Sequence, residues 1–440
     1  MRVADRRVET AAVLGFGVTG RAVTAFLRAH GVRVFVSDVR PLPETDRKRL
    51  SAEGVPCEET GHSPERIAAA DLVVLSPGVR PDEPSVVAAQ RRERLVLSEL
   101  DLAYRVLPAR SIVAVTGTNG KGTTVTLIGE LLARSGHRVA VAGNVGRPFV
   151  ACEEDAPRTD VFVLEVSSYQ LEQSSAFHPQ VAVLLNIAPD HLERHGTMAA
   201  YTAAKARLFR NQTAAETAVL PRELVGRLPD LAPRTVLIDD VHLPSWRFVD
   251  ALAPHNRANL RAAIAACEAF DPGFDRAAIA ADAIHRAICL PYRLQVLGEI
   301  DGVRVVNDSK ATNPAATIAA LAAMTRPVVL ILGGRAKREG YEAFVEAVRE
   351  HAVREVVLYG EAAPLLERLL GHAGGPPTHV RLRLDEAAAL GVSLGRPGDV
   401  LLFSPACASF DQFDSYLERG EAFSEVVGRD FRLQRLHQGH

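Results

Sequence analysis

The stretch Ser111 to Ser135, SIVAVTGTNGKGTTVTLIGELLARS, decides how this chain is read. Its opening run Ile112-Val113-Ala114-Val115 is apolar and rich in β-branched residues, the pattern of a buried strand. Gly117 and Gly120 permit a tight turn whose backbone N–H groups can face an anion, with Thr118 and Asn119 between them. Lys121 then stands at the mouth of a helix whose apolar positions, Val125, Ile128, Leu131 and Leu132, recur at helical spacing. Strand, glycine loop, lysine and helix in that order make a phosphate cradle. The loop is not the common G-x-x-x-x-G-K-[ST], because Val115 occupies the place of the first glycine and Gly122 follows the lysine. Thr123, with Thr124 beside it, is therefore the expected hydroxyl for Mg²⁺. An ordinary βα turn with a surface lysine explains the glycines but not the full series.

A chain of 440 residues exceeds one ordinary core and predicts several domains. The formal charge of −2 gives no electrostatic reason to expect nucleic acid or an anionic membrane as partner. Cys57, Cys152, Cys267, Cys289 and Cys407 are scattered without a C-x-x-C pair, which fits a reducing compartment and argues against a zinc site or disulfide framework. The opening MRVADRRVETAAVLGFG runs into a strand-like segment without a signal-peptide core, and no apolar run approaches membrane-spanning length. A cytoplasmic protein is expected.

Strand–turn–helix alternation occurs with three different kinds of punctuation, which predicts three α/β domains. The first, residues 1–108, begins with Thr10–Leu14, turns through Gly15-Phe16-Gly17-Val18-Thr19-Gly20, and adds strands at Val32–Val36 and Leu72–Leu75, the last ending at Ser76-Pro77-Gly78. The second, residues 109–290, carries the phosphate loop and strands at Val161–Leu164 and Val181–Leu185; a Pro-punctuated stretch from Pro221 to Pro254 has room for short strands. The third, residues 291–440, shows strands at Val303–Val306, Val328–Leu332, Glu355–Tyr359 and Val400–Phe403. Rossmann-like first and third domains thus flank a P-loop-type central ATPase domain.

The first glycine run matches G-x-G-x-x-G between a strand and a helix, and Asp38 closes the next strand where a ribose-binding acid belongs. Alone this suggests NAD, but it equally fits a UDP-sugar diphosphate. A second phosphate loop favours an ATP-driven enzyme acting on a nucleotide-linked substrate. Glu165, directly after Val161–Leu164, is placed to hold Mg²⁺ beside that loop, the alternative being an acid at the start of a helix capped by Ser167 or Ser168. His191, in LLNIAPDHLERHG, also follows a strand and is a candidate ligand. Lys205 shares a helical face with Tyr201, Leu208 and Phe209; such a lysine either snorkels to solvent, the default expectation, or is desolvated. Asn307-Asp308-Ser309-Lys310-Ala311-Thr312-Asn313-Pro314 and Ser404-Pro405-Ala406-Cys407-Ala408-Ser409-Phe410 are polar or small-residue turns after strands. Lys310 can reach a phosphate, Asp308 can accept from a ribose or orient Arg293, and the Ser409 hydroxyl suits a carboxylate. Cys407 lacks a histidine partner in the sequence pattern and reads as a small buried residue.

Together GTNGKGT, LEVSSYQLE, NIAPDH, Ala204-Lys205, His255-Asn256-Arg257-Ala258-Asn259, NDSKATN and SPACASFDQF resemble the Mur ligases of peptidoglycan synthesis, the last two motifs resembling the glutamate-adding branch. The resemblance runs from about Val13 to the helix after Tyr416. It implies an ATP-dependent ligase that adds glutamate to UDP-N-acetylmuramoyl-L-alanine through an acyl phosphate. D-Glutamate is the expected amino acid, and an L-glutamate-adding variant is the alternative. A monomer is expected. By the resemblance, Gly117 to Thr124, Asn256, Asn259, Arg293, Asp308 and Lys310 bind ATP, with Lys121, His191 and Lys205 catalytic. Thr123 and Glu165 hold one Mg²⁺, and His191 with a CO₂-derived carbamate on Lys205 holds a second. Gly15, Phe16, Gly17, Val18, Thr19, Asp38, Arg40, Gly78, Asn144 and Ser167 face the UDP substrate. Thr312, Lys337, Ser409 and Tyr416 frame glutamate.

Three positions depart from the family's pattern: Gly122 after the loop lysine, Tyr292 for the usual histidine before Arg293, and Tyr416 for the familiar phenylalanine. Folylpolyglutamate synthase is the nearest rival, but its phosphate loop comes early, whereas here about a hundred residues with their own G-x-G-x-x-G precede it. An NAD-binding oxidoreductase leaves Lys121, Glu165 and the SPACAS turn unexplained, and a non-catalytic scaffold leaves the whole polar set unexplained.

Overall fold

The computed structural model describes residues 1–108, 111–144, 146–229, 231–243, 252, 254–276, 284, 292–336 and 341–430. Its architecture is α/β with three principal sheets, as the alternation of patterns predicts. The N-terminal sheet has five parallel strands in the spatial order Cys57–Glu58, Arg33–Ser37, Thr10–Leu14, Leu72–Leu75, Leu95–Ser98. The chain runs outward from Thr10–Leu14 on one side, then returns to lay Leu72–Leu75 against its other side. Gly15 and Ser76 therefore meet at the crevice where α/β sheets take ligands.

The central sheet is all parallel, in the order Arg234–Leu237, Thr217–Leu220, Val181–Leu184, Ser111–Thr116, Val161–Glu165, Val139–Gly143. The phosphate-loop strand Ser111–Thr116 lies between Val161–Glu165 and Val181–Leu184, so the residues ending those strands flank the loop. The third sheet orders Gln295–Ile300, Val303–Asn307, Val400–Ala406, Val328–Gly333, Val353–Tyr359 and Thr378–Arg381, with only the first pair antiparallel. Its central strands read as unbroken apolar runs because both faces are covered. Leu330, Leu332 and Leu402 pack with Phe344 and Leu366 on one side, while Val329, Ile331 and Phe403 pack with Leu384 and Phe423 on the other.

The described chain separates into two compact units: residues 1–186, 199–249 and 258–283, and residues 187–198, 250–257 and 284–440. Within the first, the helix Glu99–Val106 ties the N-terminal sheet to the central one. Ser98 caps it by accepting from Asp101 N at 3.1 Å. Asp101, wholly buried, accepts from Ser174 Oγ at 2.7 Å, Ser175 N at 2.7 Å and Phe177 N at 3.2 Å. Glu99 accepts from Val150 N at 2.7 Å, and burial pushes its carboxyl up to about 7. Among the described residues no helix is long and apolar enough to cross a membrane.

Candidate active site

Gly117 and Gly120 adopt φ of +155° and +86°, conformations that side-chain-bearing residues rarely hold. Gly120 also has no room for a Cβ, which would stand 2.3 Å from Asn259 Oδ1. The loop is held from the neighbouring strand: Asn119 N donates to Asn186 Oδ1 at 2.9 Å, and Asn186 Nδ2 returns a bond to Asn119 O at 3.0 Å. Thr118 Oγ1 lies 3.2 Å from Tyr201 Oη. Lys121 opens the helix Lys121–Arg134 and folds back, its Nζ donating to Gly117 O and Thr118 O, each at 2.9 Å. Thr123 is fully buried and its Oγ1 has no hydrogen-bond partner among the described residues. Gly122 and Thr124 are likewise buried in the first turn, Thr124 Oγ1 donating to Gly120 O at 3.0 Å.

Glu165 is the last residue of its strand rather than the first beyond it, and pairs in register with Val115, two residues before Gly117. It is buried, and Asn144 Nδ2 donates to its Oε1 at 2.8 Å. Glu165 itself lies in the strand, two residues before Ser167, which caps the following helix in a reciprocal box with Gln170. A buried carboxylate steadied by an amide and a buried hydroxyl lacking a partner, flanking one loop, form a donor set that suits Mg²⁺.

Lys205 corrects the expectation of snorkelling. It is 1% exposed, its Nζ donates to Gly117 O at 2.8 Å, and it lies 4.6 Å from the centroid of the Tyr201 ring. An ammonium removed from water needs such compensation. Two lysines, Lys121 and Lys205, thus converge on one carbonyl of the phosphate loop.

In the N-terminal sheet, Asp38 is committed to the glycine loop: Oδ2 accepts from Phe16 N at 2.7 Å and Oδ1 from Arg40 N at 2.9 Å. Arg40 itself is exposed, 3.7 Å from that carboxylate. Ser76 Oγ donates to Gly15 O at 2.7 Å. A Cβ on Gly20 would stand 2.0 Å from Gly15 O, whereas around Gly17 nothing lies within 4 Å. Thr19 lies in the helix Val18–Ala29, Val18 is exposed at its start, and Gly78 is exposed after the Leu72–Leu75 strand.

The second unit carries most of the remaining residues. His191 has φ +57° and lies 3.5 Å from Asp190 and 3.6 Å from Glu193. Asp190 is buried and accepts from Asn313 Nδ2 at 3.0 Å, while Asn313 Oδ1 caps the helix Pro314–Ala322. Asp308 accepts from Ser404 Oγ at 2.8 Å and Leu294 N at 3.1 Å. Burial pushes its carboxyl up to about 7, against the pull of Arg293 and Arg419. Lys310 Nζ sits 3.8 Å over the Tyr416 ring, so a residue expected at the nucleotide and one expected at glutamate meet. Thr312 N donates to Lys310 O at 2.9 Å, and Ser409 is buried with its carbonyl accepting from Gln412 N and Phe413 N. Asn256 and Asn259 fall one turn apart on the helix Pro254–Phe270. Lys337 lies outside the described residues, as do Pro291 at the expected domain boundary and Cys289.

Sequence reading did not single out Asn186, Asp190 or Asn313. Asn186 carried a usable signal, since it follows a strand parallel to the loop strand and so had to end at the same edge. Asn313 had the pattern of a helix cap before proline, but its bond to Asp190 spans 123 residues and left no local trace.

Three family models match in order: a Mur ligase MurD-like N-terminal domain over residues 9–98, a Mur ligase middle domain over 115–227 and a Mur ligase glutamate ligase domain over 292–407. The chain is 39% identical to a protein of Pelotomaculum thermopropionicum named UDP-N-acetylmuramoylalanine–D-glutamate ligase, over 94% of this chain and 96% of that one. A protein of the same name from Geobacter metallireducens is 38% identical over the same shares. Among solved structures, UDP-N-acetylmuramate-alanine ligase MurC of Thermotoga maritima superposes with a TM-score of 0.58 at 20% identity, covering 96% of this chain and 100% of that one. MurF ligase of the same organism, in complex with ADP, gives 0.58 at 17% identity, over 96% of each chain. These structural likenesses concern the fold.

Proposed function

The chain belongs to the Mur ligase family, and on that premise we propose that it joins D-glutamate to UDP-N-acetylmuramoyl-L-alanine in peptidoglycan precursor synthesis. It is an ATP-dependent ligase that forms an amide bond. The observation that carries this reading is the pair of glycine loops on two sheets of one chain, one with open space around Gly17, the other with Lys121 and an orphaned Thr123 hydroxyl. The first suits the diphosphate of a nucleotide sugar and the second the phosphates of ATP.

In this reading the L-alanyl carboxylate attacks the γ-phosphorus of ATP, giving an acyl phosphate and ADP. The neutral amine of glutamate attacks the acyl carbon, loses a proton, and the tetrahedral intermediate expels phosphate. Lys121 leaves its two carbonyl acceptors to meet the transferring phosphoryl oxygens. Mg²⁺, for which Thr123 and Glu165 are the fitting donors, supplies further neutralisation of that charge. Gly120 keeps the loop low enough for Asn259 to approach it.

The finer assignments are part of the same proposal. A neutral Lys205 amine adds to CO₂ with loss of a proton, and the resulting carbamate and His191 serve a second ion; the burial of Lys205 supports this. Asn256, Asn259, Arg293, Asp308 and Lys310 serve ATP, while Thr312, Lys337, Ser409 and Tyr416 serve glutamate. The divisions at residues 108 and 290 separate the three ligand-binding parts, and the enzyme works as a cytoplasmic monomer. A coupled phosphate-release assay tests the central reading. Release should require ATP, Mg²⁺, UDP-N-acetylmuramoyl-L-alanine and D-glutamate together; turnover with L-glutamate in its place, or with NAD and a reducing substrate, contradicts it.

A further inference from the structure

A cleft of about 970 Å³ is walled by the helices Val18–Ala29 and Glu44–Ala52 and by the strand Arg33–Ser37 of the N-terminal sheet. Small-molecule sites occupy roughly 300–1,000 Å³. Of the residues given a ligand above, Phe16 alone lines it. The sequence makes this room in two ways. Ala25 and Ala29 share a face of their helix with Arg21 and Arg28, and their small side chains leave that face hollow. The strand Cys57–Glu58 pairs only with Val36 and Ser37, so Arg33, Val34 and Phe35 have no strand on their outer side. The cleft turns round this uncovered edge, with Val34, Leu50 and Val55 as a buried apolar floor.

The polar groups of the cleft point to an anion. Five arginines and one acid line it, in a chain whose formal charge is −2. Arg21 is held by Asp46, with its Nε at 3.1 Å, and Arg28 by Glu53 at 2.5 Å. Arg33 and Arg66 are exposed and make no ion pair among the described residues. Arg66 lies 3.9 Å over the Phe35 ring and so offers the other face of its guanidinium. Thr24 also lines the cleft; it is 4% exposed, and its Oγ1 has no hydrogen-bond partner among the described residues. A helical threonine divides between two rotamers, so turning this enclosed hydroxyl toward an acceptor breaks no existing bond. Snorkelling arginines explain the charge alone, but not the hollow and the idle hydroxyl with it. Arg49 links the cleft to the first glycine loop: its guanidinium lies 5.7 Å from the Phe16 ring centroid, and Phe16 N donates to Asp38.

We propose that this cleft is a second small-molecule site, taking an organic anion with a flat apolar body, and that its occupancy changes the affinity of the Gly15–Gly20 loop for its ligand. The apolar body covers Ala25, Ala29 and Val34, the anionic head meets Arg33 and Arg66, and the Thr24 hydroxyl donates to a polar atom of the body. Contact with Arg49 reaches the loop through the Phe16 ring, and such coupling is reciprocal. The site stands on the cleft itself, whereas the coupling rests on the proposed nucleotide-sugar role of that loop.

The experiment titrates the full-length protein, saturated with ADP, with the fluorescent probe anilinonaphthalene sulfonate, in the absence and in the presence of UDP-N-acetylmuramoyl-L-alanine. The probe should bind saturably, and the nucleotide sugar should shift its dissociation constant by about threefold or more without displacing it. Ala29→Trp fills the cleft and Arg66→Glu reverses a charge, both at exposed positions. Each should weaken the probe by about tenfold or more, with kcat and the nucleotide-sugar KM in probe-free assays within about twofold of wild type. Probe affinity that survives in a folded Ala29→Trp protein, or no saturable binding to wild type, overturns the site. Affinity that survives Arg66→Glu overturns the anionic class. Thermal melting checks the fold, and Ala25→Phe takes the place of Ala29→Trp if that variant melts below the assay temperature. Displacement by the nucleotide sugar puts the probe in that ligand's own site and overturns the proposal, and a probe indifferent to it overturns the coupling. A wild type that binds the probe in the cleft but never turns over the nucleotide sugar overturns the functional reading and leaves the site standing.

Discussion

Gly15–Gly20 and Gly117–Gly122 are both glycine loops between a parallel strand and a helix, yet their polar groups are spent differently. In the first, the acid Asp38 turns inward to the N–H groups of Phe16 and Arg40, and Ser76 closes on Gly15 O. In the second, the cations Lys121 and Lys205 rest on loop carbonyls, and Thr123 presents a buried hydroxyl with no partner. The first loop is a finished shape whose side chains brace the backbone, so any anion there meets mainly N–H groups. The second rests two amines on backbone carbonyls, and that of Lys121 is one that a phosphate, with its full negative charge, can draw away. Similar outlines thus divide their polar groups oppositely, an acid bracing backbone N–H groups in one and amines resting on backbone carbonyls in the other.

The largest effect that would break this contrast lies at Lys121. Lys121→Ala should lower turnover by about a thousandfold with the fold intact, because the lost group acts on transferring charge. Near-normal phosphate release from a folded variant would reduce the second loop to a shape device like the first. Lys205→Ala comes next, with a loss of about a hundredfold. If the wild-type amine is carbamylated, acetate should partly restore the variant, and ¹³C-bicarbonate should give a carbamate signal in wild-type NMR spectra. A mild loss without rescue or signal would leave Lys205 as a packing residue.

On the other side of the comparison, Gly20→Ala forces a Cβ to 2.0 Å from Gly15 O. It should destabilise by about 1–3 kcal/mol in denaturant titration and weaken the UDP substrate more than ATP. Equal weakening of both would show that the first loop has no ligand of its own. The smallest effect is expected from Thr123→Val, which preserves shape and deletes one oxygen. Its Mg²⁺ requirement should rise by about threefold to tenfold in the same assay, and an unchanged requirement would assign the hydroxyl elsewhere.

How much of this was legible in sequence depends on the range of the interaction. The strands bearing both loops, Leu72–Leu75 and the core of the third sheet were readable because buried parallel strands are continuous apolar runs. Thr378–Arg381 lies at a sheet edge, is half exposed and had no such pattern to show, whereas the edge strand Arg234–Leu237 falls in the Pro221–Pro254 stretch where short strands were expected without bounds. The antiparallel pairing of Gln295–Ile300 was missed for a related reason, since its shift in register near Gly298 breaks the alternation. At the site, the motif residues announced themselves, but what they touch did not. Whether Lys205 snorkels or is buried depends on Gly117, 88 residues away, and the grip of Asn186 on the loop crosses 67. Asp38 was recognisable as an acid at a strand end, yet its preference for the Phe16 amide is a tertiary fact.

The helix Glu99–Val106 has a consequence for how such a chain can be cut and recombined. The N-terminal family match stops at residue 98, inside the Ser98–Asp101 cap, and a fragment ending there parts the cap from the helix it starts. A fragment beginning after residue 108 leaves the donors at Ser174, Ser175 and Phe177 without the carboxylate that collects them. Chimaeras exchanging N-terminal modules between relatives should therefore keep their solubility only when Ser98–Val106 travels together with the Ser174–Phe177 turn. The heritable block of this enzyme is larger than its first sheet, and its natural seam lies beyond that helix's partners.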